Sequence, residues 1–220
     1  MPQYAPKAKQ AAARGYGANV VLLKRWHECQ ALAEKLCKEK SLTLIQPHDD
    51  ANIVAGQGTC AKELFEEVGE LDYLFACVGG GSLSSGSSIV AKALYPNCKV
   101  YGVEPEAGNK AQQSMQLGKL VEIEPPKTIA DGASPTKLGA LPFRIMMQNI
   151  AGILTVTDAQ LIDQMKFCAE KMKMVIEPTG CLGLAGAQFG GIDIKGKRVG
   201  VVITGGNVTL ERFAHFITTK

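Results

Sequence analysis

The apolar run Leu74-Phe75-Ala76-Cys77-Val78 stops on three consecutive glycines, Gly79-Gly80-Gly81, and a small-residue segment of helical length follows. Five apolar residues without polar alternation suit a strand covered on both faces, as in a parallel sheet under helices. Three successive glycines reach backbone conformations closed to other residues and let the main chain approach a ligand closely. The same strand-then-helix rhythm runs through the chain. Helices are expected over 5–16, 26–39 and from Asp50 to Val68, the last opened by a carboxylate. Strands are expected at 19–23, 41–45, 72–78, 99–104, 153–157 and 198–204. A helix follows the glycines through Leu94, another is capped by Asp158 and ends near Met172, a third opens at Pro178, and one closes the chain. Less regular chain fills 105–140. The pattern predicts an α/β fold with a parallel sheet covered by helices.

A length of 220 residues allows one such domain or one and a half. With 46% apolar and 20% charged residues, the chain is neither disordered nor a coiled coil. A net charge of +3 is too small and too dispersed to indicate nucleic acid. No apolar run has the length of a membrane span and Met1-Pro2-Gln3-Tyr4 starts no signal peptide, so a soluble, cytoplasmic protein is expected. The seven cysteines include no C-x-x-C and sit mostly in apolar company, as small core residues do. His27, His48 and His215 lack metal-ligand spacing.

Free amides of Gly79, Gly80, Gly81 and Ser82, with the positive end of the following helix, form a cradle for a phosphate. Ser82, Ser84 and Ser85 offer further hydroxyl donors. A nucleoside-triphosphate loop is excluded, because Ser87 stands where its lysine belongs after Gly81 and Gly86. A dinucleotide loop lacks its third glycine at Ser84, but Glu104 lies near the position of a ribose-binding acid, and that alternative stays open. A second apolar strand runs into Thr204-Gly205-Gly206, placing a hydroxyl at a strand end where ligands of open α/β sheets sit. Glu177 precedes a helix start, as either a capping acid or a ligand contact. The turn Thr128-Ile129-Ala130-Asp131-Gly132-Ala133 has no role assignable from its residues.

In order, the chain carries Ala55-Gly56-Gln57-Gly58-Thr59, the Gly79–Gly86 loop, Val100-Tyr101-Gly102-Val103-Glu104-Pro105, Thr128-Ile129-Ala130-Asp131-Gly132, Ile176-Glu177-Pro178-Thr179-Gly180 and Thr204-Gly205-Gly206-Asn207. With these motifs it resembles, over essentially its whole length, the serine/threonine dehydratase and serine racemase family of pyridoxal-phosphate enzymes. The resemblance implies a tryptophan-synthase-β-like fold of type II that lacks its N-terminal portion. Residues 1–47 would be the remainder of a small domain and 48–220 the large one. It implies that Gly79, Gly80, Gly81 and Ser82 hold the 5′-phosphate of pyridoxal phosphate, that Thr204 donates to the pyridine nitrogen, and that Glu177 lies near the ring. A neutral hydroxyl at that nitrogen leaves the ring less protonated than a carboxylate would, which suits β-elimination better than transamination.

The implied activity is an L-threonine or L-serine ammonia-lyase, acting on a small amino acid as a homodimer. Serine racemase, threo-3-hydroxyaspartate dehydratase and a non-catalytic cofactor- or partner-binding remnant are the alternatives. The family's Schiff-base lysine has a Ser-Phe-Lys context, and its substrate loop reads Ser-Ser-Gly-Asn-His; neither occurs in these residues. This chain alone is therefore expected to be inactive, with no catalytic base identified, and prone to self-association through uncovered sheet edge. The resemblance also implies a site for Mg²⁺ or Ca²⁺ at Glu104 and the carbonyl near Gly108. Its third ligand position holds Lys110, an ammonium in place of an acid, so a weakened or lost site is expected.

Overall fold

The structure is a computed structural model that describes residues 1–218. The chain divides into two compact units, Met1–Gln46 with Asn207–Leu210, and Pro47–Gly206 with the residues from Glu211 onward. The first unit contains α1 (Lys7–Gly15) and α2 (Trp26–Lys40). Glu28 accepts from the Arg25 amide at the start of α2 (3.1 Å), and Ser41, in the left-handed region at φ 51°, ends it. The strands expected at 19–23 and 41–45 are absent. Only one bridge forms, between Pro2 and Leu23. Apolar runs become strands only along an extended ladder; residues 1–3 bond to Val21 and Leu23 but go no further, and 41–45 forms no ladder among the described residues.

The second unit is built on a four-stranded parallel sheet in the order β3 (Gly152–Val156), β2 (Lys99–Pro105), β1 (Tyr73–Cys77), β4 (Val199–Val201). β1 is central, pairing Phe75 with Tyr101 on one side and with Val201 on the other. Leu74, Phe75 and Ala76 are fully buried, which accounts for the unbroken apolar run. Alternation divides the strand between two faces. Leu74 and Ala76 pack with Ala61 and Phe65 of α3 (Ala51–Val68), Ala91 of α4 (Ser82–Leu94), and Val100 and Val202. Phe75 stacks on Tyr101 on the other face, ring centroids 5.6 Å apart.

Asp50 caps α3 by accepting from the Asn52 and Ile53 amides (2.8 and 3.2 Å). α3 and α4 cross at Gly58 and Gly86, where a Cβ on Gly86 would lie 2.6 Å from the Gly58 nitrogen. Gly86 is thus a helix-packing glycine. Two helices arise in chain without clear periodicity: α5 (Lys110–Leu117), inside the stretch read as irregular, and α6 (Ala140–Asn149). The Asp49 carboxylate accepts from the α6 amides of Ala140 and Leu141, both at 2.9 Å.

α7 (Asp158–Phe167) is capped by Thr157, whose hydroxyl accepts from the Gln160 amide (3.2 Å), and not by Asp158 as expected. With the threonine filling that role, the Asp158 carboxylate takes the Thr128 hydroxyl at 2.5 Å and the Ile129 amide at 3.1 Å. It anchors the turn that the sequence left without a role. After a short 3-10 turn at Pro178–Cys181 comes α8 (Leu182–Phe189). Its Gly183 and Gly186 would place a Cβ within 3.1 Å of the Phe75 carbonyl and 2.9 Å of a Val103 methyl, so α8 rests directly on the sheet. α9 (Leu210–Thr218) ends the described chain, and no helix among the described residues is long and apolar enough to cross a membrane. Cys98, Cys168 and Cys181 are buried, and all seven cysteines are free thiols.

Gly86→Ala is expected to lower the thermal midpoint by several degrees, through about 1–3 kcal/mol of overpacking. Gly56→Ala, on the same helix as Gly58 but with nothing within 4 Å, should leave the midpoint unchanged or raise it. Circular dichroism melts of the two variants check the pair; equal losses would contradict the crossing.

Candidate functional site

β1 and β4 are adjacent and parallel, so the glycines after β1 and Thr204 after β4 leave the sheet at the same edge. The Val202 amide still bonds to the Phe75 carbonyl (2.9 Å), keeping the two chains together as they emerge. In the glycine loop the carbonyls point inward. That of Gly80 accepts from Gly139 (3.0 Å) and that of Gly81 from Ser85 (2.9 Å). The amides of Gly79, Gly80, Gly81 and Ser82 donate to no protein acceptor among the described residues. Gly81 has φ +100°, where an L side chain is strained, and a Cβ there would also lie 2.9 Å from Pro142. Unfilled amides at the start of a 13-residue helix add the favourable end of its dipole to a concave backbone surface. This arrangement suits a phosphate dianion.

A series of close backbone contacts carries the loop across to Thr204. A Cβ on Gly79 would lie 2.8 Å from the Gly132 carbonyl, and the Gly132 amide donates to the Thr179 hydroxyl at 3.0 Å. The next residue, Gly180, lies against Gly205, whose carbonyl would be 2.7 Å from an added Cβ, and against the Thr204 carbonyl. The Glu177 amide donates to the same Gly205 carbonyl (3.1 Å), and a Cβ on Gly205 would lie 2.5 Å from Glu177 Oε1. The loop residues, Glu177 and Thr204, far apart in the chain, are thereby held along one edge. Ser84 and Ser85, expected as extra donors, are turned away: both are buried, and their hydroxyls donate to the Cys77 carbonyl (2.9 Å) and the Ser82 carbonyl (3.1 Å).

Two residues at this edge carried no motif. The His48 imidazole covers the face of Gly80, filling the space that a Cβ would take. Burial holds its pKa below the ordinary histidine value and the Lys110 charge adds to this, against an opposing pull from Asp49. The neutral ring is therefore favoured at neutral pH. Its only signal in the sequence was the turn Pro47-His48-Asp49-Asp50. Cys77, at the end of β1, has its thiol pushed up to about 11 by burial, which leaves it without nucleophilic thiolate at neutral pH.

The expected divalent-cation site takes another form. Lys110 Nζ lies 3.0 Å from Glu104 Oε2, with both side chains fully buried. The carboxylate also accepts from the amides of Ala111 (3.1 Å) and Gln112 (2.7 Å). Burial pushes the Glu104 carboxyl up, and the ammonium and two amides pull it back. Among the described residues no group of three or more His, Cys, Asp or Glu side chains is placed to hold a metal ion. The residues at Glu104 and Gly108 do not fit Mg²⁺ or Ca²⁺, because the ligand position that needed an acid is an ammonium already seated on the carboxylate. The dinucleotide alternative loses its support here too, since Glu104 is buried against Lys110 and turned from any ribose.

The sequence model of the pyridoxal-phosphate dependent enzymes matches residues 1–205. A serine racemase of Schizosaccharomyces pombe is 52% identical over 219 residues, 99% of this chain and 68% of that protein. An L-threo-3-hydroxyaspartate ammonia-lyase of Saccharomyces cerevisiae is 49% identical, over 100% of this chain and 68% of that protein. The crystal structure of the Dictyostelium discoideum serine racemase superposes with a TM-score of 0.85 at 38% identity, covering 95% of this chain and 68% of that one. The chain belongs to the serine racemase and serine/threonine dehydratase family of pyridoxal-phosphate dependent enzymes, of fold type II. It is by family a pyridoxal-phosphate enzyme of the ammonia-lyase and racemase class, and it spans about two thirds of the length of these relatives.

His48, more easily protonated unfolded than folded, should cost stability as pH falls below its unfolded value of about 6.5. The thermal midpoint of the protein is expected to drop more between pH 7.5 and 5.5 than that of His48→Gln. Parallel slopes in differential scanning calorimetry would show that the ring titrates as it does in the unfolded chain.

Proposed function

We propose that Gly79, Gly80, Gly81 and Ser82 hold the 5′-phosphate of pyridoxal phosphate, with Thr204 facing the pyridine nitrogen and Glu177 beside the ring. The observation that carries this reading is the row of unfilled amides at the end of β1, on the same sheet edge as Thr204. The residues fit the group: the loop offers main-chain donors without side chains, and its most constrained position, Gly81, accepts only glycine without strain. Pro47–Gly206 then forms the cofactor-binding domain, and Met1–Gln46 belongs to a smaller one.

When bound, the cofactor serves as an electron sink for negative charge developing at the substrate's α-carbon. The chain's own residues orient and tune it. The loop amides and the α4 dipole fix the phosphate end, while the Thr204 hydroxyl, neutral and a weaker partner than a carboxylate, limits protonation of the far end. Glu177, 7% exposed, keeps a carboxylate against the Thr204–Gly205 turn without opening it to water. Residues that hold the cofactor in this way would favour prompt loss of a β-hydroxyl from the substrate. Serine would give pyruvate and ammonia, the β-hydroxyl leaving as water and one water entering as the nitrogen is released. β-Hydroxy amino acids are the proposed substrates, L-threonine and L-serine first. The similarity to a serine racemase and to an L-threo-3-hydroxyaspartate ammonia-lyase favours a second reading, with serine racemised or hydroxyaspartate deaminated. In a preparation that turns L-serine over, chiral chromatography separates the readings: pyruvate with ammonia marks elimination and D-serine marks racemisation.

The phosphate assignment is tested by equilibrium dialysis with pyridoxal phosphate and pyridoxal. The phosphorylated form should bind at least about tenfold more tightly, equivalent to about 1.4 kcal/mol. Ser82→Asp places an acid where a helix N-terminus tolerates it, so the fold should persist while the preference disappears. Equal affinity for the two compounds in the unaltered protein would remove the basis of the reading.

A further inference from the structure

We infer that the Lys110 ammonium is a tethered cation that occupies the place of a divalent metal ion in this chain and makes the glycine-loop edge independent of added metal. Three oxygens from three separate segments surround Nζ: Glu104 Oε2 at the end of β2 (3.0 Å), the Val78 carbonyl at the end of β1 (3.3 Å) and the Ala133 carbonyl of the 131–133 turn (3.5 Å). One carboxylate and two main-chain carbonyls are the kind of all-oxygen set that hard cations take. An ammonium has three N–H donors, which match these three acceptors in number. Lys110 and Glu104 both have 0% exposure, so bulk solvent does not screen the pair. Opposite charges meet here in a buried site, where their attraction offsets the cost of leaving water.

The location gives the cation its task. Val78 immediately precedes Gly79, and Ala133 immediately follows Gly132, the residue whose carbonyl faces Gly79. Lys110 therefore ties the root of the loop to the turn that supports it, from behind the sheet edge. It is a positioning residue: it holds the root of the loop through the Val78 and Ala133 carbonyls, and its charge also acts on His48 over Gly80. A divalent ion could enter only by displacing an ammonium that is covalently part of α5, and the Glu104 oxygens are already committed to Lys110, Ala111 and Gln112. This assignment rests on the fold and not on the phosphate reading.

Replacing lysine by aspartate removes the ammonium and leaves two carboxylates facing each other, which a divalent cation bridges with a bond of about 2.0–2.6 Å to each. Lys110→Asp should therefore need a metal ion where the native chain does not. Thermal melts and titration calorimetry on the protein, Lys110→Asp and Lys110→Met test this in chelator and in about 5 mM MgCl₂ or CaCl₂. The native midpoint should be the same in all three conditions. Lys110→Asp should melt roughly 10 °C lower in chelator, recover most of that loss with Ca²⁺ or Mg²⁺, and bind one ion per chain. Lys110→Met should melt lower and show no recovery, which separates replacement of a charge from filling of a space. A rise of the native midpoint with either ion would overturn the assignment. So would a Lys110→Asp protein that neither ion restores, whether folded or unfolded, and so would a Lys110→Met protein as stable as the native one.

Discussion

The parallel pairing of β1 between β2 and β4 is the constraint on which the site depends. Antiparallel neighbours would send the glycine loop and Thr204 to opposite ends of the sheet, and parallel ones release both at the same edge. The pairing also explains the apolar composition of β1. A central strand under helices on both faces has no polar side, so Leu74, Phe75 and Ala76 are all interior. The core that stabilises the sheet and the edge that gathers the glycine loop and Thr204 are consequences of the same register.

Beyond the sheet, small residues set the distances. Gly79 meets Gly132, Gly180 meets Gly205, and Thr179 bridges the intervening gap with its hydroxyl. Backbone against backbone is a stiff contact, because neither side has a rotamer to change. Asp158 extends the series outward by holding Thr128 and Ile129, and Lys110 extends it inward by gathering Val78, Glu104 and Ala133. A phosphate bound as proposed would meet an edge already fixed, which would spare it the entropy of ordering a loop.

Much of this was legible in the residues. The loop, the Asp50 cap and the alternation of strand and helix follow from local chemistry: amide geometry, capping and periodicity. The misreadings have a common cause, which is that their outcome depends on a partner distant in sequence. Residues 19–23 are as apolar as many strands but are paired only by the short segment Met1-Pro2-Gln3. Asp158 looks like a cap until Thr157 fills that role and the carboxylate turns to a segment 30 residues earlier. α5 begins at a buried lysine, which no helical pattern of apolar residues anticipates, because its burial is made possible by Glu104. His48 could be placed over Gly80 only once the chain had closed on itself. The family resemblance singles out Glu104 and Lys110, while the carbonyls of Val78 and Ala133 join them only in the folded chain.

The crossing of α3 and α4 has an effect beyond packing. Gly86 lies little more than one turn inside α4, whose leading amides open onto the ligand edge. A backbone contact so near the start of a helix constrains the aim of its first amides more directly than one near Leu94 would. The side chain that Gly86 lacks is thus what seats the opening turn of α4 on α3.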